Sequence, residues 1–279
     1  MPHHEFPPSV PVRLLARLDL LGAELEARGD ALALIGLGSV GLETDRLDEH
    51  SDADFFLVVQ DAAAKTRYLQ EVDWLESLAA VSFSFENSGN GRKVLFADGL
   101  FMEYAVFTVP ELKASPYPAG RLVWRRADAP EGLEIPVVPP PGVPRSVDYH
   151  VNEALTNLFV GLHRDLRGER LSATRFIQGY AVDRLLTVLA LLRVSSATTQ
   201  DPFAVERRAE RRFTPAQLPL DQLVPGYRHN AAAAKAVMRC LRAHASLDPA
   251  MAAAVHDLIG RVEAASDRGR PGQASVPSR

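Results

Sequence analysis

The sequence predicts an α+β fold, with an N-terminal domain built on a mixed sheet and a C-terminal helical bundle. Three observations carry this prediction. β-prone runs alternate with helical periodicity over the first hundred or so residues. A proline-dense stretch then breaks the pattern, and beyond it apolar residues recur only at three- and four-residue spacing.

Helical spacing runs from Val12 to Ala27 and stops at Gly29-Asp30, where the apolar run Ala31 to Leu37 predicts a buried strand. Phe55 to Val59 predicts a second strand, and Ala62 to Leu78 a helix. The alternation Val81-Ser82-Phe83-Ser84-Phe85 predicts a third strand, with Trp74, Phe83 and Phe85 expected to fill the core. Lys93 to Ala97 and Leu100 to Thr108 flank Asp98-Gly99, the signature of a tight hairpin. Nine prolines between Val109 and Arg145 predict a loop or interdomain connection without regular structure, and a boundary near Pro144. Helices are then expected at Val147 to Leu166, Ser172 to Arg193, Ala204 to Arg212, Asn230 to Ala245 and Pro249 to Ala264. The expected domains are residues 1–144 and 145–266, with a disordered polar tail at 267–279.

At 279 residues and 47% apolar, the chain can bury one large core or two modest ones. A formal net charge of −4 lacks the basic excess of a protein that grips a long nucleic acid, so a small acceptor is favoured over a polynucleotide. The single cysteine, Cys240, cannot form an internal disulfide or a cysteine-based zinc site. No stretch reads as a signal peptide or a membrane span, so a cytoplasmic location is expected.

The residues that carry chemistry lie in two groups. Leu37-Gly38-Ser39 is an apolar strand running into a Gly-Ser turn, whose amides and Ser39 hydroxyl could hold phosphates. Asp52 and Asp54 then alternate at the head of the next strand, so both project to one face. An all-oxygen anionic site of this kind suits Mg²⁺ shared with triphosphate oxygens. Glu103, in the otherwise apolar run Leu100 to Phe107, is the third carboxylate, as a metal ligand or as a general base. Its competing structural reading is an ion pair with Lys93 or Arg92 across the hairpin. Taken together, the three carboxylates and the turn have the composition of a two-metal phosphoryl- or nucleotidyl-transfer site.

This signature, Leu37-Gly38-Ser39 followed by Asp52-Ala53-Asp54 and Glu103, resembles that of the polymerase β-type nucleotidyltransferases over roughly residues 30–108. The resemblance implies two Mg²⁺ sites held by Asp52, Asp54 and Glu103, ATP as co-substrate, and attack of an acceptor hydroxyl on the α-phosphate. Met102 to Phe107, Gly168 to Ala173 with Phe176-Ile177-Gln178, and Arg211-Arg212-Phe213 with Pro225 to Asn230 are similar to the lincosamide nucleotidyltransferases. The aminoglycoside enzymes are relatives in that comparison. On this basis Gly38, Ser39, Arg211, Arg212, Tyr227 and Arg228 are expected to bind nucleotide, Tyr227 as a stacking surface. A lincosamide is the implied acceptor and a homodimer a form to look for. The alternatives are an aminoglycoside acceptor, nucleotidylation of a tRNA or protein, and a non-catalytic nucleotide-binding module. The arginines Arg207, Arg208, Arg211 and Arg212 form the local basic patch that keeps an RNA acceptor under consideration.

Overall fold

A computed structural model describes residues 8–139, 145–194, 201 and 203–268. The chain divides into two compact units, residues 1–141 and 142–279.

In the first unit, α1 (Val10–Arg28) ends where Gly29 takes the left-handed conformation, φ 76°, as expected from the Gly-Asp stop. β1 (Ala31–Leu37) follows, buried at every position. β2 (Ala53–Val59), α2 (Ala62–Gln70) and α3 (Asp73–Glu76) come next, then β3 (Val81–Ser88), β4 (Gly91–Phe96) and β5 (Phe101–Thr108). The expected helix at 62–78 is thus two short ones. The proline-dense stretch holds regular structure after all, in α4 (Val109–Ala114) and β6 (Arg121–Arg125). Pro110 sits in the first turn of α4, where its missing N–H costs nothing. β6 is an edge strand paired only with β1, so its neighbouring prolines leave the ladder intact.

The six strands form one sheet in the order β3-β4-β5-β2-β1-β6. Only β2 and β5 run parallel. One face packs against α1, α2 and α3 through Leu14, Leu18, Phe55, Trp74, Met102 and Tyr104. On that face Phe55 and Tyr104 are register partners whose rings stack 5.4 Å apart, with Trp74 edge-on 5.1 Å from Tyr104. The opposite face is covered only in part. Ile35, Leu37, Val58, Phe107, Leu112 and Tyr117 make a smaller core there. Phe83 and Phe85, expected in the core, are exposed instead, at 53% and 44%. Alternation on β3 does mark two faces, but among the described residues of this unit no layer packs on the face carrying both rings.

The second unit is helical: α5 (Val147–Leu166), α6 (Arg170–Thr174), α7 (Ala181–Leu191), α8 (Ala209–Arg212), α9 (Leu220–Leu223), α10 (Asn230–His244) and α11 (Pro249–Arg268). A π-helical turn at Arg175–Tyr180 joins α6 to α7. Its core is built from Leu155, Leu158, Leu185, Val237, Leu241 and Val255 with their neighbours. Helix α8 is shorter than the expected Ala204 to Arg212. Helix α11 runs to Arg268, so the first two residues of the expected tail are helical; residues 269–279 lie outside the described residues, as do Pro140 to Pro144 at the expected boundary. Among the described residues no helix is long and apolar enough to cross a membrane.

Candidate active site

The Gly-Ser turn is placed by β1. At the end of that strand Gly38 takes φ +53°, a left-handed conformation that reverses the chain into a single 3-10 turn, Gly38–Val40. The amides of Gly41 and Glu43 both donate to the Gly38 carbonyl. Arg121, on β6, braces the turn by donating through Nε to the Val40 carbonyl at 3.0 Å. A Cβ added to Gly38 would stand 3.5 Å from a terminal nitrogen of Arg46 and 3.9 Å from Asp54 Oδ2. The turn therefore lies against both a carboxylate and a guanidinium.

The carboxylates are placed by sheet register. Leu37 on β1 is paired with Asp54 on β2, and Asp54 with Glu103 on β5. Neighbouring strands lie ~4.8 Å apart, so Asp54 and Glu103 stand side by side on one face. That alignment is fixed from behind by the Phe55–Tyr104 stack one residue further along the same two strands. Asp52 precedes β2 by one residue and is half-buried.

Glu103 is held by two neighbours. Lys93, its register partner on β4, makes an ion pair with Oε2 at 2.9 Å, and Asn87 Nδ2 donates to Oε1 at 2.8 Å. Lys93 is held above the ordinary lysine range by Glu103 first, with further contributions from the charges of Asp54 and Asp52. Lys93 thus feels the charge of all three carboxylates while contacting Glu103. Arg92, the other cation considered for Glu103, turns to the opposite face and donates to Ser84 Oγ and the Leu69 carbonyl.

The oxygen-only donor set of Asp52, Asp54 and Glu103 fits a hard divalent cation chemically. As placed, no three His, Cys, Asp or Glu side chains among the described residues stand close enough to hold an ion. Glu103 is engaged by Lys93 and Asn87 instead.

The remaining expected nucleotide-binding residues all belong to the second unit. Arg212 is buried, 1% exposed, and donates to the Val205 carbonyl; it packs over Phe213, 5.2 Å from the ring, so its guanidinium works inside the core. Arg211 is exposed on α8. Arg228 lines a cleft of about 340 Å³ together with Asp165, Arg170 and Asn230. Tyr227 is 52% exposed beneath the Arg170 guanidinium, 5.8 Å from its ring. Under that cleft Asn230 donates to Asp165 Oδ2 at 2.6 Å and accepts from Gln178 Nε2 at 2.8 Å, while Gln178 also exchanges hydrogen bonds with the Gly226 backbone. The two sequence stretches Gly168 to Gln178 and Pro225 to Asn230 thus meet in one buried network.

Sequence reasoning missed Arg46 and Asn87. Arg46 follows the turn by eight positions with no periodicity to mark it, and Asn87 sits in a run that reads only as a turn signal.

No protein-family model matches the chain, and no curated protein matches it. Among solved structures, it is similar to an aminoglycoside 6-adenyltransferase from Bacillus subtilis at 13% identity and a TM-score of 0.29, over 91% of this chain and 96% of that one. A STING-associated c-di-GMP synthase from Capnocytophaga granulosa gives 11% identity and a TM-score of 0.29, over 94% and 83%. A spectinomycin adenyltransferase from Enterococcus faecialis, solved with ATP and spectinomycin, gives 10% identity and a TM-score of 0.27, over 91% and 98%. At these values the likeness decides nothing by itself, and the reading of function has to come from the site.

Proposed function

We propose that this chain is a Mg²⁺-dependent nucleotidyltransferase that moves AMP from ATP onto a hydroxyl of a small molecule, with a lincosamide antibiotic as the first acceptor to try. The observation that carries this reading is the register pairing of Asp54 with Glu103 beside the Gly38 turn. A structural ion pair needs one carboxylate and one cation. Here carboxylates share one sheet face beside a glycine turn with a left-handed residue, so acids that can hold a metal lie next to a turn whose amides can hold phosphate.

In this reading the backbone amides of the turn, the Ser39 hydroxyl and Arg46 hold the β- and γ-phosphates. Asp52 and Asp54 would hold the metal, which neutralises charge on the phosphate oxygens when bound. Glu103 accepts the proton of the acceptor hydroxyl as its oxygen bonds to the α-phosphorus. The bond from that phosphorus to the bridging oxygen breaks, and pyrophosphate leaves with the electron pair. Lys93, by pairing with Glu103, offsets part of the negative charge on this face before nucleotide arrives.

A second reading has one observation in its favour. Glu103 is tied to Lys93 and Asn87, as it would be in a nucleotide-binding module that no longer turns over. The two are separated by incubating the protein with Mg²⁺, ATP and a panel of lincosamides and aminoglycosides, then weighing the acceptors by mass spectrometry. The transferase reading expects an acceptor heavier by one AMP, absent with Asp52→Asn. ATP binding with an unmodified panel and no pyrophosphate released would favour the module.

A further inference from the structure

We propose that the uncovered half of the sheet beside Glu103 is the docking platform for the acceptor, and that the acceptor is an amphiphile with an apolar face roughly 10 Å from the hydroxyl it presents. This rests on the transferase reading above and names the substrate class for the same site. Register aligns two rows of side chains across β3, β4 and β5. In one, Phe85 pairs with Lys93, Lys93 with Glu103, and Glu103 with Asp54. In the other, Phe83 pairs with Leu95 and Leu95 with Phe101. Directly paired residues share a face, so the apolar rows and the carboxylates lie on one continuous surface.

Single exposed apolar side chains are ordinary, but this group is contiguous. The Phe83 and Phe85 rings touch, 5.6 Å between centroids, and Leu95 beside them is 36% exposed. They lie on and next to β3, an edge strand, where exposed aromatics invite unwanted pairing unless they serve a purpose. Two strand spacings separate Phe85 from Glu103, about 10 Å, and that spacing sets the length of the molecule the surface fits. Charge complementarity narrows the class further. Three carboxylates and one ammonium leave the face beside the rings acidic, with Lys93 between the rings and the carboxylates. A neutral or cationic molecule, with an apolar end over the rings and a hydroxyl at Glu103, suits that face, whereas an anionic one does not.

A chain-length series of alkyl β-D-glucosides (methyl, hexyl and octyl), kept below micelle-forming concentration, tests this on the full chain by ligand-observed NMR titration. The headgroup is constant and only the apolar part grows. Octyl glucoside is expected to bind at least about tenfold tighter than methyl glucoside, since each buried methylene adds to affinity. In F83S/F85S the gap should close to about twofold. Both rings are exposed, so the variant should keep its melting temperature. A gap that persists in the double variant, or none in the native chain, overturns the proposal. So does light scattering that shows a native dimer falling to a monomer in the double variant, because a second copy would then be what covers the rings. Tail-dependent binding lost in F83S/F85S, with no AMP transfer to any acceptor, keeps the platform and removes the transferase reading.

Discussion

At the scale of single residues, the deciding contact is Lys93 with Glu103. An ion pair this exposed contributes little to stability, so its consequence is on what Glu103 can do. Replacing Lys93 with Met removes the competing cation and leaves three carboxylates on one face. Divalent affinity, read as Mn²⁺ binding by calorimetry, should then rise about fivefold or more, with the fold retained. Unchanged Mn²⁺ affinity would mean that Lys93 does not compete for these oxygens. The sequence made Asp52, Asp54 and Glu103 legible because strand alternation and a lone acid in an apolar run are local signals. The choice of Lys93 over Arg92 was not legible, because it depends on which of two adjacent β4 residues faces Glu103, and only the register settles that.

At the scale of elements, glycines show where the backbone has no slack. Gly38 at φ +53° would strain any side chain by about 1–2 kcal/mol, so Gly38→Ala should lower the denaturation midpoint modestly and weaken ATP binding more than stability alone explains. Gly120 is tighter: a Cβ there would come within 2.4 Å of Ile35 Cγ2 and 2.8 Å of the Gly36 carbonyl oxygen. Gly120→Val should cost about 1–3 kcal/mol or more in chemical denaturation, by prising β6 from β1. In the helical unit, Asn230→Ala strands Gln178 and Asp165 and should cost about 1–3 kcal/mol. Most helices and β1 were readable from periodicity and caps. β6 was hidden by its prolines, which an edge strand tolerates. Phe83 and Phe85 were misread because alternation reports that a strand has two faces and says nothing of whether a layer covers either one. The π-helical turn that aims Gln178 at Asn230 leaves no trace in a pattern scored at helical period.

At the scale of the whole molecule, each of the two units has its own core, and a buried acid ties the stability of the helical one to pH. Asp183 in the helical unit is pushed up to about 6 by burial, with the Glu206 charge adding to it. Its folded value lies above the unfolded 3.8, so the native state holds the extra proton between those two values. Stability from this group is therefore present at low pH, falls as pH rises through that window, and is level above it. Asp183→Asn should raise the melting temperature at pH 8 by on the order of 2–4 °C and leave it unchanged near pH 3.5. An equal change at both pH values would show that packing, not ionisation, sets the effect. Nucleotide transfer at the Asp54–Glu103 face requires the whole chain and is read as pyrophosphate release. With Mg²⁺, ATP and an amphiphilic hydroxyl acceptor, the native chain should release pyrophosphate, while Asp54→Asn still binds ATP but is slower by at least about a hundredfold. Equal rates in the two proteins would show that this face does not transfer the nucleotide.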